Sequence, residues 1–375
     1  MRDAILYIGR FNFPDGSAAA QRVKSNAELF KRIGYETKFV STWQDNNSYN
    51  EDNGLNINII PEHQQIYKID FIEKYILKLS NRYCFKFIVL YNYPSLASWR
   101  LVKLARKYNI KIIGDVTEWF GLNSGHNRIY QIYKNIDTEI RMKILLEKFD
   151  GLFVISKFLE EKYKEKTKTL HLPNLLNSHD NKWSLLKSTK NLSNDVIHFT
   201  YAGNPGKLFE KEDIAKIVSV FSELKSTKKI LNIVGIDELE FRSRYKKIYG
   251  TIPKINNCIF YGKLTHNETL KLIYNSHFFI YIRPDTLANK AGFPTKFLES
   301  IVLKTPVLTN DIGDIKLYID NKINGMIINS EKSTLKKQIT EIEINDYLKY
   351  RFENKFTVDE FYKRTKKFLE NVGDR

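Results

Sequence analysis

The sequence predicts an α/β protein of two Rossmann-like parallel-sheet domains facing each other across a cleft. Three observations carry this. Short β-rich runs alternate with longer helical patterns, the rhythm of βαβ units. The alternation breaks at an Asn-, Ser- and Lys-rich stretch and then restarts. The 375 residues fit two domains of roughly 150 residues.

In the first half the strand-like runs are Ala4 to Ile8, Thr37 to Val40, Phe87 to Leu90, Lys111 to Ile113 and Gly151 to Ile155. Helical patterns lie between them: Ala19 to Arg32, a segment in which Ile69, Ile72, Ile76 and Leu79 recur at helical spacing, Ser95 to Tyr108, and Lys157 to Lys164. After the break come Val196 to Tyr201, a helix near Asp213 to Leu224, Lys229 to Val234 and Ile259 to Tyr261. A helix from Asn267 to Asn275, the run Phe278 to Tyr281, a helix from Thr295 to Leu303 and the run Pro306 to Thr309 complete the second set. The expected organisation is an N-terminal domain 1–175, a linker 176–195 and a C-terminal domain 196–353. A segment 354–375 follows, whose helix, Val358 to Val372, is expected to return to the N-terminal domain.

Composition removes several classes. Hydrophobic residues at 42%, with 17 glycines and nine prolines, support a packed core and exclude disorder or a collagen-like chain. Two distant cysteines, Cys84 and Cys258, exclude a disulfide scaffold and a Cys-based zinc site, and they predict a reducing, cytoplasmic compartment. Residues 4–9 are too short an apolar stretch for a secretory signal. No run of about eighteen apolar residues occurs, so membrane contact is expected to be peripheral. His63, His171, His198, His266 and His277 form no H-x3-H pattern, so no metal site is expected.

A formal charge of +17 attracts polyanions in general. Much of the excess lies between Lys68 and Lys111, which includes Lys74, Lys78, Arg82, Lys86, Arg100, Lys103, Arg106 and Lys107 against Asp70 and Glu73. Two readings stay open for the Ile69 to Leu79 pattern: a surface helix packed on its own domain with a solvated basic face, or an interfacial helix on an anionic membrane. No RNP-like, C2H2 or basic-heptad pattern is present, so nucleic acid is not an expected partner.

Three segments carry chemistry. Pro14 to Arg22, with Gly16, Ser17 and the following alanines, joins a strand to a helix, where backbone amides can approach an anion and Arg22 can add charge; an ordinary tight turn explains it equally well. Tyr201-Ala202-Gly203-Asn204-Pro205-Gly206-Lys207 repeats that geometry, with Lys211 and Asp213 beyond it. In the third, Arg283 to Ser300, Gly292 and Pro294 shape a loop before a helix that carries Lys296 and Glu299 three apart. A carboxylate there can accept both ribose hydroxyls while the lysine neutralises phosphate or holds the carboxylate. In the N-terminal half, Asp115 and Glu118 follow a strand end and could orient or deprotonate an acceptor hydroxyl, and His126 belongs to a loop near them in sequence.

Taken together, these pieces resemble the GT-B glycosyltransferases, specifically the large retaining group (glycosyltransferase family 4, group 1 type) that includes many enzymes of bacterial polysaccharide assembly. The likeness spans nearly the whole chain: the Gly16-Ser17 loop with Arg22-Val23, Phe153 to Ser156, Leu172-Pro173-Asn174, Tyr201-Ala202-Gly203, Gly262-Lys263-Leu264, Phe293 to Glu299, and Thr305 to Leu308. It implies that Glu299 binds the ribose of a nucleotide diphosphate sugar and that Lys207 or Lys211 meets its diphosphate. The amides of Ala291, Gly292 and Phe293 would lie beside the sugar and phosphates, and the base would be selected near Leu264. Ala291 stands eight positions before Glu299, where many members carry a first Glu; that departure touches the contacts to the donor sugar. The implied activity is metal-independent transfer, with retained stereochemistry, from a UDP- or GDP-sugar, which is a co-substrate rather than a resident cofactor. The acceptor would be a glycan or lipid-linked glycan at the inner face of the cytoplasmic membrane, as in capsule or O-antigen assembly. A nucleotide-sugar epimerase of the same architecture and a non-enzymatic basic membrane- or RNA-binding protein are the competing readings.

Overall fold

The computed structural model describes residues 1–11, 18–42, 57–59, 69–119, 128–176, 181–320, 323–353 and 355–374. The chain divides into two compact units. One comprises Met1–Asn177, Ala291–Phe293 and Phe356–Arg375; the other comprises Ser178–Lys290 and Pro294–Lys355.

The first unit is built on a parallel sheet of seven strands: β1 (Arg2–Gly9), β2 (Glu36–Ser41), β3 (Ile57–Ile59), β4 (Tyr83–Tyr91), β5 (Lys111–Val116), β6 (Gly151–Val154) and β7 (Thr169–His171). Their order is β3-β2-β1-β4-β5-β6-β7. β1 is buried from Ala4 to Gly9 with no alternation, as expected of a central strand covered on both faces. Crossovers are supplied by α1 (Ala18–Ile33), α2 (Ile69–Leu79), α3 (Ser95–Lys107), α4 (Arg128–Ile140) and α5 (Lys157–Tyr163). α1 turns Ala20, Val23, Leu29 and Phe30 inward, where Phe30 stacks on Phe153 at 5.7 Å.

The second unit repeats the plan with six parallel strands: β8 (Ile197–Ala202), β9 (Lys229–Val234), β10 (Cys258–Gly262), β11 (Phe278–Ile280), β12 (Val307–Thr309) and β13 (Gly325–Ile327), ordered β10-β9-β8-β11-β12-β13. Its helices are α6 (Ile214–Ser222), α7 (Glu238–Tyr249), α8 (His266–Tyr274), α9 (Leu287–Ala291), α10 (Thr295–Val302) and α11 (Lys332–Glu341), with α9 ending at the residue where the chain enters the first unit's Ala291–Phe293 segment. Local sequence sets their starts. Asp213 caps α6 through the Lys216 amide (3.0 Å), and Thr265 and Glu268 close a capping box on α8. Phe199 packs on Phe221 and Phe278 at the centre of this core.

The last helix, α12 (Val358–Gly373), belongs to the first unit. It lays Phe361, Phe368, Leu369 and Val372 into that core. Gly151 makes room for it, since a Cβ there would meet Phe368 Cζ at 2.8 Å and Val372 Cγ2 at 2.9 Å.

One expectation, on the Ile69 to Leu79 pattern, meets its outcome here. α2 buries Ile69, Ile72, Tyr75 and Ile76, and its Glu73 takes Lys107 (2.7 Å) and the Tyr108 hydroxyl (2.6 Å). Its apolar face is therefore spent inside the first unit, and the packed-helix reading stands over the interfacial one. The stretch 181–190, within the expected linker, carries a short 3-10 segment, buried Trp183, and Lys190, whose ammonium reaches Thr305 Oγ1 (2.9 Å) in the second unit.

In each sheet the strand order reverses once, between β1 and β4 and between β8 and β11. In open parallel sheets, ligands bind beyond the carboxyl ends of the strands at that reversal.

Candidate functional site

In the second unit the carboxyl ends of β8, β9 and β10 are stepped together by glycines. Gly203 N donates to Val234 O (3.1 Å), and Gly235 N donates to Gly262 O (2.7 Å). Gly235 has a φ of 107°, and a Cβ on it would stand 2.0 Å from Gly203 O, so only glycine fits. Several amides of the loop after β8 are already engaged within the turn. Gly206 N is taken by Asn204 Oδ1 (3.1 Å), Leu208 N by Glu210 Oε2 (2.7 Å) and Lys211 N by Pro205 O (3.0 Å). These three amides are spent within the turn, so an approach of this loop to a diphosphate would draw on its other amides and on its lysine side chains. Lys207 and Lys211 are both exposed.

A carboxylate occupies the space that the Gly203 side chain lacks. Glu212 Oε2 lies 2.4 Å from where a Gly203 Cβ would be, and it accepts a hydrogen bond from the Tyr201 hydroxyl (2.6 Å). Burial pushes the Glu212 carboxyl above its usual range, opposed by the Tyr201 hydrogen bond and by Arg283, Lys211 and Lys296. Arg283 follows β11, with its backbone clamped by Asn310 through two 2.9 Å hydrogen bonds and its buried Nε unpartnered. The charges of Lys211 and Lys296 thus act on one carboxylate although 85 positions of chain separate them. Arg283 and Asn310 also line a cavity of about 690 Å³ with Asp213, Lys216, Asp311 and Asn329, at the ends of β11 to β13.

α10 supplies the other carboxylate. Glu299 is 4% exposed, with Lys296 Nζ at 2.7 Å from Oε2 and His266 Nε2 at 3.6 Å from Oε1. The first pair is the i, i+3 pair legible in sequence. The second is not: His266 opens α8, and only tertiary packing of α8 on α10 brings it to Glu299. α10 begins at Pro294 without a side-chain cap. Leu264 is half-buried just after β10. Ala291, Gly292 and Phe293 are buried and counted with the first unit, where Ser156 Oγ donates to Ala291 O (2.8 Å).

In the first unit, Arg22 and Asp115 come together, but with each other. Arg22 is 2% exposed, and its Nη2 and Nε lie 2.7 and 3.0 Å from Asp115 Oδ1, with Nη1 on Asn174 Oδ1 (3.3 Å). The Tyr7 hydroxyl donates to Asp115 Oδ2, and Asn26 Nδ2 donates to Tyr7 (3.1 Å). The expectations of Arg22 turned toward an anion and Asp115 toward an acceptor therefore give way to a buried ion pair joining α1 to β5. Glu118 is only half-buried, and its Oε1 accepts from Asn92 Nδ2 (3.3 Å), which also donates to Thr117 Oγ1 (2.6 Å). Gly16, Ser17 and His126 lie outside the described residues. Among the described residues no group of three or more His, Cys, Asp or Glu could hold a metal ion, and no helix is long and apolar enough to cross a membrane.

With this geometry in place, comparison with known proteins is informative. Residues 198–366 match the family model of glycosyl transferases group 1. Among curated proteins none is similar in sequence. Among solved structures, sucrose-phosphate synthase from Thermosynechococcus elongatus is 14% identical, with 99% of this chain and 96% of that one covered and a TM-score of 0.62. HepE from Anabaena, in complex with UDP and glucose, is 11% identical over 99% and 100% of the chains, with a TM-score of 0.65. UDP-GlcNAc 2-epimerase from Methanocaldococcus jannaschii is 15% identical over 98% and 99%, with a TM-score of 0.57. Residues 198–366 thus match the model of group 1 glycosyl transferases, in a chain whose fold is that of the GT-B glycosyltransferases.

Proposed function

We propose that this chain is a retaining glycosyltransferase that moves a sugar from a UDP- or GDP-sugar to a hydroxyl of a glycan or lipid-linked acceptor in bacterial surface polysaccharide synthesis. The observation that carries the reading is Glu299: a buried carboxylate held between Lys296 and His266 on α10, inside the group 1 domain. Such a carboxylate can accept both hydroxyls of a ribose, and its neighbouring cation offsets the cost of keeping it charged. UDP and glucose bound in HepE, a protein of the same fold, support a nucleotide sugar as donor.

As the glycosidic bond breaks, negative charge develops on the departing diphosphate. The uncapped N-terminus of α10 and the ammonium of Lys296 or Lys211 would stabilise it, and Lys211 is favoured over Lys207 because its charge acts on the Glu212 cluster. No divalent ion is required on this account. In the first unit, Glu118 would orient the acceptor hydroxyl, a role open to a half-buried carboxylate and closed to the buried Asp115. We place the acceptor at the inner face of the cytoplasmic membrane, in keeping with the +17 charge.

The test is a thermal-shift panel of UDP, GDP, ADP and CMP with and without EDTA, followed by product analysis. A shift with UDP or GDP that survives EDTA and vanishes in Glu299→Ala supports the reading, and the anomeric configuration of the product decides retention. No shift from folded protein removes it. The likeness to UDP-GlcNAc 2-epimerase favours a second reading, in which the sugar is converted with no acceptor. Product formed from donor alone would establish that reading instead.

A further inference from the structure

The first unit carries an exposed apolar face that neither sheet edge uses. α4 runs on through a π-turn at Arg141–Leu145. Along this continuous helix Ile132, Ile136, Ile140 and Ile144 follow one another at four-residue intervals, 59%, 55%, 42% and 53% exposed, with Tyr133 beside them at 55%. The opposite side is already committed to the interior through Thr138, Met142 and Leu145. A helix that packs one face and still shows a full apolar stripe on the other has a second partner to meet.

α3 extends the face. Ser95 N and Oγ donate to Asp137 Oδ1 (2.8 and 2.6 Å), which fixes the first turn of α3 against the middle of α4. That turn shows Leu96 and Trp99, both about half exposed. The rest of the same helix is basic, with Arg100, Lys103 and Arg106 exposed, while Lys107 is paired with Glu73, and Lys143, one position from Ile144 on the α4 line, is paired with Glu139. Lys103 Nζ sits 5.4 Å from the Trp99 ring. Isoleucines in line, an interfacial Trp and Tyr, and a basic border are the composition of a helix pair lying in the headgroup region of an anionic bilayer. Charge decides between a bilayer and a second copy of the chain: a copy would bring the same cations against these, whereas lipid phosphates complement them.

We propose that the α3 and α4 face is the surface through which this protein lies on an anionic membrane. The stripe Ile132, Tyr133, Ile136, Ile140 and Ile144, with Trp99, enters the headgroup boundary, and Arg100 and Lys103 meet lipid phosphates. The inference rests on the membrane part of the function proposed above and is independent of the nucleotide. It also moves the docking surface away from α2, whose apolar side is buried.

The test is flotation of the full chain with vesicles of phosphatidylcholine alone and of three parts phosphatidylcholine to one of phosphatidylglycerol, at low and high salt. The expected result is flotation with the anionic vesicles, weakened by salt, and a loss of roughly tenfold or more in bound fraction for I136E/I144E. R100E/K103E, which leaves the stripe intact, is expected to lose the preference for anionic vesicles. It keeps the proposal testable should I136E/I144E not fold, and a thermal melt without ligand reports folding in each variant. Flotation that survives both variants places docking elsewhere and overturns the proposal while the membrane reading stands. No flotation of the parent chain overturns both, leaving the nucleotide reading to its own assay. A parent dimer that does not float and that I136E/I144E dissociates identifies the stripe as a self-association surface, and the proposal falls.

Discussion

The carboxyl ends of the two sheets hold similar side chains put to different use. In the first unit, Arg22, Asp115, Tyr7, Asn26 and Asn174 close on one another until Arg22 and Asp115 are almost wholly removed from solvent. In the second unit, Lys296 and His266 share Glu299 while remaining 24% and 30% exposed themselves, and Arg283 keeps a buried nitrogen without a partner. A network whose donors and acceptors are matched internally stabilises a fold. One whose donors are still open to solvent retains capacity for an anion.

The sharpest way to break this contrast is to remove one carboxylate from each edge. Asp115→Ala strands a buried guanidinium, so we expect a loss of about 3–5 kcal/mol in chemical denaturation. Glu299→Ala leaves partners that water can reach, and its stability cost should stay below about 1 kcal/mol. Binding should invert the order. Glu299→Ala is expected to weaken UDP or GDP affinity by about thirtyfold, near 2 kcal/mol, in isothermal titration, while any Asp115 variant that folds binds as the parent does. A stable Asp115→Ala protein with lost nucleotide affinity would reverse the assignment of the two edges.

A finer cut lies within the second unit. Glu212 puts a negative charge among Arg283, Lys211 and Lys296, where a diphosphate would seek the same cations. We expect Glu212→Gln to tighten nucleoside diphosphate binding by about threefold to tenfold at neutral pH. The pH dependence has a definite sign. Because burial raises the folded carboxyl above its unfolded range, the folded state holds the proton longer, and stability is lost as pH rises through the folded value. Glu212→Gln should remove that fall. Weaker binding in this variant would mean that Glu212 positions the cations instead of competing for them.

How much of this was legible in the sequence depends on how far apart the partners lie. The strand and helix alternation is a local pattern, and the two parallel sheets follow from it. Lys296 and Glu299 share one helical turn, so their pairing could be read directly. Arg22 and Asp115 were visible as charges near strand ends, but 93 positions separate them, and nothing local shows that each consumes the other. His266 could be read only as the residue after the cap in Thr265-x-x-Glu268; its approach to Glu299 is a product of packing. The isoleucine stripe of α4 has helical spacing, yet spacing alone does not separate a buried face from an exposed one, and α2 shows the same pattern turned inward.

The smallest effect tests a charge that is neither matched nor available to a ligand. Lys190 is half-buried against Lys304 O and Thr305 Oγ1, and burial, with the Lys304 charge behind it, pulls its ammonium down to about 7. The unfolded chain holds that proton up to about pH 10.4, so between the two values the unfolded state binds more protons and stability rises with pH. Lys190→Met keeps an unbranched stem of similar length and removes both the titration and the ammonium that sits 5.0 Å from the Tyr274 ring. Comparing urea midpoints of the two proteins at neutral and at alkaline pH isolates this group from every other that titrates there. We expect the parent to gain on the variant by up to about 1 kcal/mol as pH rises, discounted for partial solvent access. A parent that gains nothing would mean that the ammonium stays charged, held by the two oxygens it donates to, and that the segment 181–190 is anchored to the second unit by a charge-assisted contact of the kind seen at Glu299.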